Sequence, residues 1–280
     1  MKFALIDDKK VEAFKGAKGF CQNCGAEMIA KCGELKVNHW AHKRKRQCDS
    51  WWENETEWHR NWKENYPIAW QEVIQFDKKT NEKHIADVYT DNGLVIEFQH
   101  SRIDPEERRK REDFYKNMVW VVDGTRLKRD FPRFSKEWKS DGISDVHKTN
   151  KPGIFEIWFP EFCFPESWLH STVPVVFDYY GNGFLEDPHG LRKKLYCLFP
   201  KVGKHVCVAE ISSKAFIKAT TSGEWTLRLQ KFSTYLIEQR KLQIQREKLE
   251  QERRHAINRH EFNRRLLSKQ FKSKRRRRRF

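Results

Sequence analysis

Between residues 68 and 123 the chain alternates short apolar runs with polar breaks. The segments "IAWQEVIQF" at 68–76, "KHIADVYT" at 83–90 and "LVIEFQH" at 94–100 read as three strands, the last two joined at Asp91-Asn92-Gly93. The run "MVWVVD" at 118–123 has the length and apolarity of a strand buried on both faces. A helix is expected over 53–65, ending before Pro67. A second is expected over 104–117, with Asp104 as N-cap and Pro105 just inside. The order helix, three strands, helix, strand predicts a mixed α/β core.

Residues 150–225 are richer in aromatics and proline, with apolar runs such as "GIFEIWF", "VPVVFDYY" and "HVCVAEI". They predict a β-leaning region that packs on the core or forms a small domain. Residues 226–272 almost lack Gly and Pro and read as helix. Leu242, Leu249 and Ala256 recur every seven residues, but Gln245, Glu252 and Arg259 fill the matching positions. A single amphipathic helix fits that pattern better than a coiled coil. The expected organisation is 1–50 a Cys/His-rich module, 51–149 the α/β core, 150–225 the β-rich region and 226–280 a helical tail.

Charge sharpens this picture at one end. The chain holds 56 Lys+Arg against 39 Asp+Glu, a net of +17. Residues 231–280 hold 18 basic and five acidic residues, a net of +13, which leaves +4 for the rest. The terminal run Arg275, Arg276, Arg277, Arg278 and Arg279 is an electrostatic footprint for a polyanion, read as DNA. The first ten residues reach two acids without a long apolar stretch, and no run approaches the length of a membrane span. A cytoplasmic protein with no membrane partner is expected.

Asp87 and Glu97 sit inside the two hairpin strands, where an isolated charge is costly. A two-residue loop at Asn92-Gly93 would set them on opposite faces. A three-residue loop, Asp91-Asn92-Gly93, would set them directly across from each other, with Gln99 on the same face and Gly93 in the left-handed position. Opposed carboxylates destabilise a sheet unless a cation compensates, and a divalent ion does so naturally. Beyond the strand, Ser101, Arg102, Arg108, Arg111 and Tyr115 can meet a nucleic-acid backbone, the last three sharing one helical face.

Four of the seven cysteines fall in residues 21–48. Cys21-x₂-Cys24 and His39-x₂-His42, 14 residues apart, approach zinc-finger spacing. Cys48 is a rival fourth ligand. If "VNHWAH" is a strand, His39 and His42 point to opposite faces and the set becomes Cys21, Cys24, His42 and Cys48. Zinc would explain how so short a segment folds.

Taken in order, "CQNCG", "HWAHK", "ETEWHRNWK", "IADV" and "IEFQHS" resemble the motifs of the competence protein CoiA-like family, over residues 1–125. The resemblance implies a restriction-endonuclease-like mixed sheet of the PD-(D/E)XK superfamily with an N-terminal zinc-ribbon-like module. It implies Mg²⁺ or Mn²⁺ on Asp87 and Glu97, with Gln99, where the superfamily has Lys, orienting water. Glu55, His59 and Lys63, spaced i, i+4, i+8, become a third carboxylate, a water-orienting or phosphate-contacting group and a phosphate-neutralising cation. The expected activity is metal-dependent DNA endonuclease, in DNA uptake and recombination or in anti-phage defence, with recombination proteins as partners. The alternative is a nuclease-fold protein that grips DNA without cutting it.

Overall fold

The computed structural model describes residues 1–277 apart from 35, 45–47, 79, 139–141, 182–186, 188 and 204, with side chains described to residue 265. Met1–Arg228 form one compact unit and Leu229–Phe280 a second.

The first five strands are β1 (Phe3–Ile6), β2 (Lys9–Glu12), β3 (Lys18–Phe20), β4 (Glu27–Lys31) and β5 (His39–His42). They form a small antiparallel sheet in the order β2-β1-β3-β4-β5. Its core is slight: Ala4, Ala13, Ala17, Cys21, Met28 and Trp40 carry most of it.

Helix α1 (Glu57–Lys63) leads into β6 (Gln71–Phe76), β7 (Lys83–Tyr89) and β8 (Val95–Gln99). Helix α2 (Pro105–Tyr115) then crosses over to β9 (Met118–Asp123), which lies parallel to β8. Asp104 caps α2 as expected, its carboxylate accepting the Glu106 N–H at 2.8 Å. The helix expected from residue 53 begins at Glu57 instead. Thr56 fixes that start: its Oγ1 accepts the His59 N–H, and His59 Nδ1 accepts the Thr56 N–H. Residues 68–70 form a turn of 3₁₀ helix after Pro67, so β6 starts at Gln71.

Beyond β9 come α3 (Asp130–Trp138), β10 (Val146–Lys148), β11 (Ile154–Ile157), α4 (Glu166–Leu169), β12 (Val175–Asp178), β13 (Leu195–Leu198), β14 (Val206–Ile211) and α5 (Ser213–Thr221). The strands of this region do not stack as a separate layer. They extend the same sheet, in the order β10-β11-β14-β13-β12-β9-β8-β7-β6, because β12 pairs in parallel with the free edge of β9. That pairing explains why every residue of "MVWVVD" is buried. Met118, Trp120 and Val122 join one core cluster, and Val119 and Val121 join the one on the opposite face.

Asp178, at the end of β12, anchors α1 to this sheet. Its Oδ2 accepts the indole N–H of Trp58 at 3.0 Å and of Trp62 at 2.9 Å, and its Oδ1 accepts the Tyr180 N–H. Hydrogen bonds to a charged acceptor are worth roughly 1.5–3 kcal/mol each. The helix that carries His59 and Lys63 is therefore held from a strand more than a hundred residues away.

The second unit is the continuation of α6 (Glu224–Arg277). Ile237, Leu242, Ile244, Leu249, Ile257 and Phe262 are all exposed. At about 100° per residue they spread round the helix rather than forming the single stripe expected of an amphipathic one. No described helix is long and apolar enough to cross a membrane.

Candidate active site and cysteine–histidine cluster

The hairpin loop sets the register on which the site is built. Gly93 has φ +72°, its N–H reaches Thr90 O at 2.9 Å, and the Thr90 N–H reaches Leu94 O at 3.0 Å. The ladder then runs Tyr89↔Val95 and Val88↔Ile96. Asp87 and Glu97 follow as opposite positions, the arrangement of the three-residue loop. There the backbone ladder breaks: the Asp87 N–H donates to Glu97 Oε1 at 3.2 Å and the Phe98 N–H to Asp87 Oδ2 at 3.0 Å. Two carboxylates about 5 Å apart repel by roughly 3 kcal/mol at an effective dielectric of ~20, so these contacts need cationic help.

On the other side of β7 the pairs Gln71↔Val88 and Val73↔Ala86 place Glu72 opposite Asp87. Three neighbouring strands thus bring one acid each to a row. Glu72 takes φ +48°, unusual for a residue other than glycine, and its carboxylate accepts the Lys2 and Phe3 N–H groups at 2.7 and 3.0 Å.

Lys63 enters this row from α1. Its buried Nζ lies 3.0 Å from Asp87 Oδ1, 3.3 Å from Glu72 Oε1 and 3.5 Å from Glu55 Oε1. Burial opposes the charge, but the carboxylates of Asp87, Glu55 and Glu72 outweigh it and hold the ammonium well above its usual range. Glu55 precedes the helix, so it reaches Lys63 through the capped turn rather than along one helical face. His59 is buried beside them. Its Nδ1 accepts the Thr56 N–H, which leaves Nε2 as the N–H that donates to Phe98 O at 3.1 Å. Nδ1 thus closes the cap of α1, and Nε2 joins α1 to β8 with Glu53 Oε2 3.5 Å away.

Glu97 has the opposite electrostatic fate. Burial and the neighbouring Asp87 push its carboxyl up to about 8, against the pull of Arg111, whose Nη1 lies 3.3 Å from Glu97 Oε2. The surrounding pocket, about 60 Å³, is lined by six carboxylates, Asp49, Glu53, Glu55, Glu72, Asp87 and Glu97, against the side-chain cations Lys63 and Arg111. Such an all-oxygen donor set suits a hard divalent ion, and the raised proton affinity of Glu97 marks where positive charge is wanting. The acids are not closed around an ion as they stand, because Lys63 sits between them. Among the described residues, the one set of three or more Cys, His, Asp or Glu ligand atoms gathered tightly enough for a metal is the cysteine–histidine cluster.

That cluster comprises Cys21, Cys24, His42 and Cys48, with ligand atoms within 4.8 Å of one another. It could hold zinc. His39 and His42 close opposite ends of β5, and His39 turns away to Val37 O at 2.9 Å, so His39 is not a member. Burial raises the thiols of Cys21 and Cys48, the latter to about 12. Metal binding there must release protons.

The remaining sequence-predicted residues lie elsewhere. Gln99 is buried, and its amide N–H₂ donates to Ser101 O and Oγ at 3.2 and 3.3 Å, off the pocket wall. Ser101 and Arg102 are exposed at the strand end, the Ser101 N–H donating to Glu53. Arg108 presents no cation to solvent. It is 1% exposed and pairs with Glu112 at 2.9 Å and His170 O at 3.1 Å, because this face of α2 packs on the sheet. Arg111 likewise points inward, and Tyr115 is half-buried against Trp51 and Phe114. Arg275, Arg276 and Arg277 end α6 with side chains beyond those described, and Arg278 and Arg279 lie outside the described residues. Asp49, Glu53 and Glu72 are site residues the sequence reading missed. For Glu72 the signal was an acid within the apolar run "QEVIQF", the same cue that singled out Asp87.

A mixed α/β sheet with an acidic pocket at the break in one hairpin, beside a Cys₃His cluster, defines the class. The family described as competence protein CoiA, N-terminal domain, matches residues 4–50, and the CoiA nuclease-like domain matches residues 75–158. Competence protein CoiA of Bacillus subtilis (strain 168) is 26% identical over 144 residues, 47% of this chain and 38% of that protein. No solved structure matches. Over these two ranges the chain is similar to the CoiA family. It spans well under half the length of the curated relative, and α1 and Glu72 fall outside both matched ranges.

Two outcomes are expected. After zinc reconstitution, His39→Ala retains one zinc per chain, whereas His42→Ala and Cys48→Ser lose it and melt lower; zinc lost from His39→Ala and kept by His42→Ala contradicts the cluster. Glu97 binds its proton more tightly folded than unfolded. Its stabilising contribution is present below its ordinary value of 4.5 and is lost as pH rises to about 8. In buffer free of Mg²⁺ and Mn²⁺, urea unfolding should show the stability difference moving toward Glu97→Gln between pH 5 and 8, by up to ~1.4 kcal/mol per pH unit. A pH-independent difference contradicts the assignment.

Proposed function

We propose that the chain is a divalent-metal-dependent DNA endonuclease. The observation that carries this reading is the row of Glu72, Asp87 and Glu97 across three strands, with Lys63 among them and more carboxylates than cations around a pocket of about 60 Å³. Asp87 and Glu97 would hold Mg²⁺ or Mn²⁺. When bound, such an ion lowers the pKa of its water and neutralises charge on a phosphate. Lys63 keeps Asp87 oriented and leaves a permanent cation beside the reacting phosphate. Arg111 does the same for Glu97. His59, with both nitrogens occupied, ties α1 to β8 and is a positioning residue rather than a proton carrier. Gln99, bonded to Ser101, steadies the strand end and keeps one amide oxygen for water. The basic tail supplies salt-dependent, sequence-blind affinity for DNA.

Similarity to a family named for competence supports a role in DNA uptake and recombination, with recombination proteins as partners. A second reading, a DNA-gripping protein that does not cut, is favoured by one feature: the oxygens of Asp87 and Glu97 already meet Lys63, Arg111 and two backbone N–H groups.

The readings separate on plasmid and single-stranded DNA incubated with Mg²⁺, with Mn²⁺ and with neither. Metal-dependent cutting is expected, falling at least ~100-fold in Asp87→Ala and Glu97→Ala while DNA binding survives, since removing the metal's holders removes its chemistry. Cutting that persists in both variants ends the assignment of this pocket.

A further inference from the structure

Beside the acidic pocket lies a larger cavity of about 400 Å³. Its walls are mainly apolar, with Met28, Trp40, Ala41 and Ile85 inside, Trp52 and Arg44 toward solvent, and His42 and Cys48 of the cysteine–histidine cluster on one side. Trp40 is buried, whereas Trp52 is 37% exposed and offers part of its ring. The two spaces adjoin: Asp49, Trp52 and Ile85 line both. One wall of the cavity comes from the small N-terminal sheet, through Met28, Trp40 and Ala41, and the other from the strand that carries Asp87, through Ile85.

The volumes differ in what they admit. About 60 Å³ accepts an ion and its water, while about 400 Å³ falls in the ~300–1,000 Å³ range of small-molecule pockets. A flat, mostly apolar group therefore fits the larger space, and a compact charged one the smaller. A nucleotide is built that way, with a flat base joined to a phosphate. An exposed tryptophan ring is a platform for stacking a base, and Arg44, which lines the same cavity, is exposed to meet a flanking phosphate. A base paired within a duplex cannot enter; one that is single-stranded or extruded can.

We propose that this cavity receives a nucleobase of an unpaired DNA strand, stacked on Trp52, with its backbone directed to the acidic pocket. The proposal rests on the reading of that pocket as a phosphodiester site. It gives the CoiA-like N-terminal module a share in substrate choice: the chain selects single-stranded or branched DNA, because half the base site belongs to that module.

The test uses the full, zinc-loaded chain without added Mg²⁺ or Mn²⁺. A short single strand carrying one fluorescent adenine analogue, and the matched duplex, are titrated at equal salt. The single strand is expected to bind roughly tenfold more tightly than the duplex, and the analogue's emission to fall on binding as it stacks. Trp52→Ala should abolish both differences, and Trp52→Phe should keep most of each. Ala41→Phe, which fills the cavity and leaves Trp52 in place, should lose the preference as well. Zinc content and melting temperature show that each variant is folded. The proposal is overturned if Trp52→Ala and Ala41→Phe keep the preference for single strands, or if they weaken single strand and duplex alike. Its failure differs from failure of the nuclease reading. A chain that binds unpaired strands through Trp52 yet cuts nothing with either metal loses the nuclease reading alone. A chain that cuts normally but ignores both substitutions loses the base site alone.

Discussion

One buried ammonium among three carboxylates holds the centre of this molecule together. Lys63 can sit there only because α1 is pinned by Trp58 and Trp62 to Asp178, and because the three-residue loop ending at Gly93 puts Asp87 on the same row as Glu97. Without Lys63, Glu72, Asp87 and Glu55 would lose the one cation they share, leaving Glu72 to the Lys2 and Phe3 N–H groups and Glu55 to the N-terminal ammonium and Arg60. With it, the pocket still holds more negative than positive charge, and burial beside Asp87 raises the affinity of Glu97 for a proton. A site so balanced is prepared for a further cation without collapsing in its absence.

The same arrangement explains why distant parts of the chain matter to the pocket. Region 150–225 adds no chemistry of its own at the acids, but β12 closes the edge of β9 and delivers Asp178 to α1. The N-terminal sheet, with its slight core, approaches the pocket through the backbone N–H groups of Lys2 and Phe3, which bind the Glu72 carboxylate. A metal on Cys21, Cys24, His42 and Cys48 would stiffen that sheet, and with it one wall of the larger cavity.

Much of this was legible in the sequence because it is local. Gly93 announced the loop, the loop fixed the register, and the register brought Asp87 opposite Glu97. Asp104-Pro105 gave the start of α2, and the parity of a strand separated His39 from His42. What stayed hidden depends on contacts far apart in sequence. Glu72 reads in the sequence only as part of the strand at 68–76, and its positive φ and long-range N–H donors place it in the pocket. Arg108 and Arg111 read as cations facing a ligand, and packing of α2 against Trp120 turned both inward. The parallel joining of β12 to β9 has no local signature either, so the sheet is wider than its hairpins suggested. The tail was correctly read as helix, but its apolar residues share no stripe.

Diffraction from crystals soaked in Mn²⁺, recorded at the manganese absorption edge, tests the central claim most directly. The account predicts an anomalous peak in contact with both the Asp87 and Glu97 carboxylates, with the Lys63 ammonium displaced from Asp87 or drawn to its edge. A map without that peak, in which Lys63 keeps its place against Asp87 at saturating Mn²⁺, would contradict it.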